Sequence, residues 1–124
     1  MIIIDTDILI WFLRGDTQYI AKFTELGKKV NSAFFITPIQ IAEIYTGLRE
    51  NERTQTTLFL QEFHHIDLDQ QIGELAGDYM RQYKKSHHVM MADALIAAAT
   101  TKHALTLWTQ NKKHYPMLLP GQMI

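Results

Sequence analysis

Ile2-Ile3-Ile4-Asp5-Thr6-Asp7-Ile8-Leu9-Ile10 decides how the rest of the chain is read. Three β-branched residues in a row make a short buried strand. Two acids then break a run that is otherwise almost wholly apolar. A buried polar group without a partner costs about 1–3 kcal/mol, and a carboxylate that stays ionised costs far more. Two acids at this place therefore point to something other than packing. The expected arrangement is a strand whose C-terminal end carries Asp5, with Asp7 at the start of a helix over Ile8–Leu13. In open α/β sheets, that carboxyl edge is where ligands bind. Capping is the alternative, because either acid can accept a backbone N–H at the helix start. The two roles are compatible.

The chain has 124 residues, a length that suits a single domain over 1–124 and allows a core without staples. It has no cysteine, which excludes a disulfide framework, a thiolate zinc site and a cysteine nucleophile. The N-terminus lacks the basic start and small-residue cleavage site of a secretory signal. No apolar run approaches the roughly 20 residues that span a bilayer. The expectation is a soluble, cytoplasmic protein with no membrane association. The formal net charge of −1 hides an asymmetry. Beyond Asp78 the only acid is Asp93, against Arg81, Lys84, Lys85, Lys102, Lys112, Lys113 and four histidines. A basic half facing a few fixed acids suits a polyanion held near a metal. A solvated basic surface is the other reading.

Moving outward, Gly15 should end the first helix, and Tyr19, Ile20, Phe23 and Leu26 show helical spacing closed by Gly27. Val30 and Phe34-Phe35-Ile36 suggest a second strand. Thr37-Pro38 opens a helix, with Gln40 where a capping box needs it. Ile41, Ile44, Tyr45 and Leu48 form its core stripe. Glu43 falls off that stripe, one turn from Gly47, where the missing side chain would open space beside the carboxylate. Arg53 to Phe63 reads as a helix with Leu58, Phe59 and Phe63 inward, and His65 to Leu68 as a short strand. Asp69 can cap a helix carrying Ile72, Leu75, Ala76, Tyr79 and Tyr83. Lys84 to His88 reads as a polar loop whose paired histidines make poor metal ligands. Met90 to Ala99 is a small-residue helix with Asp93 as its one charge. An acid near a helix N-terminus is favoured by about 0.3–1 kcal/mol in any case. Ala104 to Trp108 reads as a buried strand, with Thr109-Gln110-Asn111 at its C-terminal edge. Met117-Leu118-Leu119 is a candidate last strand.

The succession of strands and helices implies an α/β sandwich with a short parallel sheet. Asp5, Glu43, Asp93 and the Thr109/Asn111 pair fall at strand ends or on helices leaving them. Three converging carboxylates repel one another unless a cation sits between them. Oxygen ligation with room for water suits Mg²⁺ or Mn²⁺. Such ions lower the pKa of a bound water and clamp the oxygens of an in-line phosphoryl displacement. The residues alone therefore point to a metal-dependent phosphoryl-transfer or phosphodiester site with a basic approach.

At these positions the sequence resembles a known family. Asp5-Thr6-Asp7 after an apolar strand, Ile41-Ala42-Glu43-Ile44-Tyr45-Thr46-Gly47, Asp93-Ala94-Leu95-Ile96-Ala97-Ala98 and Thr109-Gln110-Asn111-Lys112-Lys113-His114-Tyr115 are similar to the motifs of PIN-domain ribonucleases, and most of all to the VapC-type toxins of type II toxin–antitoxin pairs. The resemblance covers essentially the whole chain. It implies a PIN-like three-layer sandwich with a short, mainly parallel central sheet flanked by helices. It implies an endoribonuclease dependent on Mg²⁺, with Mn²⁺ able to substitute. By the match, Asp5, Glu43 and Asp93 are the catalytic acids and metal ligands, Thr6 and Asp7 support them, and Thr109 and Asn111 complete the pocket. It also implies a homodimer and an antitoxin whose tail blocks the acidic pocket. Structured tRNA or ribosomal RNA is the substrate class it suggests. Many PIN domains carry a fourth acid near the last motif, where this chain has Asn111 and His114, so a second ion would have fewer anionic ligands.

The expected mechanism has Asp5 and Asp93 holding one ion, with Glu43 holding it directly or through water, and in-line attack of water on RNA leaving a 5′-phosphate. Lys112, Lys113 and Arg14 are the expected contacts to the RNA backbone. Two rival readings remain. Asp5-Thr6-Asp7 also matches the opening of haloacid-dehalogenase-type phosphatases, which work through a Mg²⁺-dependent aspartyl-phosphate, but the later acidic pair of that family is missing. A non-catalytic PIN-like module that binds RNA or protein is the other.

Overall fold

A computed structural model describes residues 1–29 and 32–124. The expectation for Val30 lies outside the described residues. The strands are β1 (Ile2–Ile4), β2 (Phe34–Ile36), β3 (His64–His65) and β4 (Thr106–Trp108). They form one parallel sheet in the order β3-β2-β1-β4. The helices are α1 (Thr6–Leu13), α2 (Thr17–Gly27), α3 (Pro38–Thr46), α4 (Arg53–Gln61), α5 (Gln70–His87) and α6 (Met91–Lys102).

Side chains alternate across a strand, and here successive residues feed two separate cores. Ile3 and Leu107 join one with α5 and α6, including Ile72, Ala76, Ala94, Ile96 and Tyr115. Ile4, Ile36 and Trp108 join the other with Ile8, Leu9, Leu26, Ile44 and Leu60 from α1 to α4. Helices thus cover both faces of a short parallel sheet, the α/β sandwich expected. Central β1 is wholly buried at Ile3 and Ile4, which is why it tolerates no polar residue before Asp5.

The connection order positions the site. The chain steps from β1 to β2 to β3 in one direction, then returns to place β4 on the other side of β1. In such sheets a crevice opens outside the carboxyl ends of the two strands where the order reverses. Ile4 pairs with Trp108, and the next residue continues the ladder, with the Asp5 N–H donating to the Trp108 carbonyl at 3.0 Å. Asp5 and Thr109 therefore leave the sheet side by side.

Several expectations need correction. Leu58 is 58% exposed, and Thr56 and Leu60 are the buried residues of α4. The inward stripe is Thr56, Phe59, Leu60 and Phe63, whose i, i+3, i+4, i+7 spacing is the helical one. Lys84 to His87 is not a loop but the last turn of α5, which ends at His88 with φ +53°. Lys84, Lys85 and His87 there meet the negative end of the helix dipole. The third strand is His64–His65, one residue before the expected start, with Ile66 in the adjacent core. Met117–Leu119 forms no strand; Leu118 enters the core, and the chain returns to the sheet later through a bridge between Leu107 and Met123. Gly47 lies not inside α3 but at its C-cap, and a Cβ there would meet nothing within 4 Å.

Candidate active site

Asp5 is both a cap and a buried acid. Its backbone is extended (φ −71°, ψ 155°), and its Oδ1 accepts the Thr6 N–H at 2.8 Å, so it starts α1. At 8% exposure its other oxygen needs partners, and two hydroxyls supply them. Thr109 Oγ1 donates to Asp5 Oδ2 at 2.7 Å, and the Tyr115 hydroxyl donates to the same oxygen at 2.8 Å.

The other two acids reach Asp5 through intermediaries. The Thr6 hydroxyl donates to Glu43 Oε1 at 2.7 Å, so one residue binds Asp5 by its amide and Glu43 by its side chain. The Tyr115 hydroxyl lies 3.4 Å from Asp93 Oδ1. Asp93 enters from the first turn of α6, and its Oδ2 stands 4.0 Å from His114 Nδ1. The structure thus brings Asp5, Glu43, Asp93, Thr6 and Thr109 to one edge. Among the described residues, no three acids or histidines stand close enough to cage an ion by themselves. They form an open set linked by hydroxyls.

Electrostatics reflect that crowding. Burial pushes the Asp93 carboxyl above its ordinary range, Asp5 and then Glu43 add to the push, and His114 opposes it. Burial, with the Asp5 and Asp93 charges, holds the Tyr115 phenol well above the ordinary tyrosine range, so it is a hydrogen-bond donor at neutral pH.

Asp7 has a different job from Asp5. Its Oδ1 accepts the Ile8 N–H at 2.7 Å. Its Oδ2 accepts the Gln110 N–H at 3.1 Å and Asn111 Nδ2 at 2.9 Å, clamping the loop after β4 onto α1. Burial and the neighbouring Asp5 charge raise it to about 6. Asn111 also donates its N–H to Thr109 Oγ1 at 3.0 Å, which orients the hydroxyl that meets Asp5.

The PIN domain family matches residues 2–116 of the chain. The chain belongs to the PIN-domain family. It is 34% identical over 118 residues to Ribonuclease VapC10 of Mycobacterium tuberculosis, covering 94% of this chain and 87% of the relative. Ribonuclease VapC19 of the same organism is 29% identical over 120 residues, with 94% of both chains covered. Among solved structures, a toxin-antitoxin complex from Klebsiella pneumoniae superposes with a TM-score of 0.83 at 24% identity, covering 100% of this chain and 96% of that one.

In this PIN domain, Lys112 and Lys113 lie in the exposed 3-10 turn Lys112–His114 that directly follows Asn111, so the chain itself carries them to the rim of the site. Arg14 caps the end of α1 opposite Asp5, stands over the Trp11 ring at 5.3 Å and lines a groove with Leu13, Ile44 and Gly47. Tyr115 carries only a weak signal in the sequence, a single tyrosine after a basic turn; its 1% exposure beside two acids reveals its part.

Proposed function

We propose that this PIN domain is an endoribonuclease that depends on Mg²⁺, with Mn²⁺ able to substitute, and acts as the toxin of a toxin–antitoxin pair. One observation carries the reading: the buried Asp5 carboxylate at the switch point is joined through Tyr115 to Asp93 and through Thr6 to Glu43. The residues fit a hard divalent ion. Their donors are all oxygens, and burial first, then the charges of Asp5 and Glu43, raise Asp93; a cation relieves the repulsive part of that. An open set also fits, because Mg²⁺ is commonly held by one or two carboxylates together with waters and substrate phosphates.

Asp5 and Asp93 would hold the ion, with Glu43 reaching it directly or through water. When bound, it supplies Lewis acidity toward a phosphodiester and its attacking water. Thr109, Thr6 and Tyr115 fix the carboxylates, and Asp7 with Asn111 fixes the loop that carries Thr109. Lys112 and Lys113 present positive charge to the RNA backbone at the rim. Arg14, at the other end of α1, presents positive charge to the RNA backbone further along the strand. The relatives named as ribonucleases and the neighbour described as a toxin-antitoxin complex support the substrate class and the antitoxin partner. Structured tRNA or ribosomal RNA, a homodimer and a cytoplasmic location complete the proposal; no helix among the described residues is long and apolar enough to cross a membrane.

The test is cleavage of a pool of structured RNAs by purified protein in Mg²⁺, Mn²⁺ or EDTA, with Asp93→Asn alongside. Cuts that require metal and are lost in the folded variant bear out the reading. A folded, fully active Asp93→Asn would sink it. RNA binding without metal or cleavage would favour a non-catalytic module, and a stable aspartyl-phosphate on Asp5 would favour a phosphatase.

A further inference from the structure

We propose that Tyr115 is a positioning residue for the divalent site: its hydroxyl fixes Asp5 beside Asp93 and leaves a single Asp5 oxygen open to a cation. The inference rests on the metal-dependent reading above. A carboxylate offers about four lone-pair sites. Asp5 Oδ2 spends both of its sites, on the hydroxyls of Thr109 at 2.7 Å and Tyr115 at 2.8 Å. Asp5 Oδ1 spends one on the Thr6 N–H at 2.8 Å. One site on Oδ1 remains, so Asp5 can reach a cation through that oxygen only.

The same hydroxyl stands 3.4 Å from Asp93 Oδ1. Its one proton serves Asp5 at the shorter distance, while its positive end also faces Asp93. Two like charges are thus held on either side of one donor before any cation arrives. Tyr115 can do this because it is itself fixed. Its ring is 1% exposed in the core with Leu107 and Leu118, and its N–H donates to the Lys112 carbonyl at 3.0 Å. Partners that hydrogen-bond to ligating carboxylates orient them, and losing one lowers metal affinity by about 10–100-fold.

Tyr115→Phe keeps the ring and removes one oxygen, and Asp5 Oδ2 still has Thr109. Mn²⁺ is titrated into wild type and Tyr115→Phe by calorimetry, and both are melted in EDTA. The expected result is a Mn²⁺ Kd about 10–100-fold weaker in the variant with a cooperative melt retained. Cleavage by the variant then needs correspondingly more Mn²⁺ to reach the wild-type rate. A variant Kd within about twofold of wild type, or tighter, overturns the role of Tyr115 and leaves the endoribonuclease reading intact. Wild type that takes up no Mn²⁺ overturns the metal reading and the Tyr115 proposal with it.

Discussion

Two acids two positions apart do unlike work here. Asp5 is satisfied by three donors, whereas Asp7 is strained by burial and by the Asp5 charge, which raise it from 3.8 to about 6. A raised folded-state pKa means that the stabilisation is fully present below pH 3.8 and is lost as pH rises through about 6. Ionising Asp7 therefore weakens the metal-free fold across that window. Asp7→Asn, which cannot ionise, should gain stability relative to wild type as pH rises from about 4 to about 7.5. Thermal melts of both proteins in EDTA across that range check this, and a constant difference would contradict it. Asp93 is raised for the same first reason, burial. Asp93→Asn should therefore melt higher than wild type in EDTA at neutral pH while losing cleavage. Asp69 moves the other way, lowered by Lys102. Its contribution is present at neutral pH and fades only in acid, below the window where Asp7 acts.

At the scale of elements, α3 is held by a polar knot in an apolar place. Thr37 and Gln40 form the expected capping box, and both are wholly buried. Gln40 also donates through Nε2 to the Ile4 carbonyl at 2.9 Å, so the cap pins α3 to the end of β1 immediately before Asp5. Gln40→Leu keeps volume and gains apolarity but orphans that buried carbonyl. It should cost about 2 kcal/mol or more, read as a lower urea midpoint with unchanged slope. The turn from α6 into β4 carries a different strain. Ala104 sits at φ +51°, a conformation that costs an L-residue about 1–2 kcal/mol. Ala104→Gly should stabilise the fold by up to about 1 kcal/mol after glycine's entropy loss, read as a higher urea midpoint. Thr37-Pro38-Ile39-Gln40 was legible in the sequence because a capping box is a local rule. The end of α5 was not, because nothing in Lys84-Lys85-Ser86-His87 says whether a polar stretch continues a helix or leaves it.

For the whole molecule, the sheet has no solvent face at its centre. Ile3 and Ile4 lie in different cores and both are fully buried. Ile4→Ala should cost about 2–5 kcal/mol, whereas Leu58→Ala, on the outer side of α4, should move stability by no more than about 0.5 kcal/mol. Chemical denaturation of the two variants separates them, and a large loss at Leu58 would mean that a partner or second copy covers it. The strand order shapes the candidate site as well as the core. It puts the carboxyl ends of β1 and β4 next to each other, so residues from the two ends of the chain meet at Asp5.

Parts of this protein governed by neighbours along the chain are written in its residues alone. These are the apolar strand before Asp5, the capping box of α3, the caps at Asp5 and Asp69, the alternation of strands and helices, and the acids that match PIN-domain motifs. Each rests on periodicity, caps or residue chemistry, which short stretches express without reference to the rest of the molecule. Which side chains share a carboxylate was left to the assembled fold. That fold set Asp5 among hydroxyl donors and Asp7 on the loop after β4, placed Arg14 at the opposite end of α1, turned Leu58 outward and brought Tyr115 to Asp5 across 110 positions of chain. Burial drives those choices. Once folding removes water from the end of β1, each carboxylate oxygen there must find a donor, and the donors within reach are set by strand order rather than by position in the sequence.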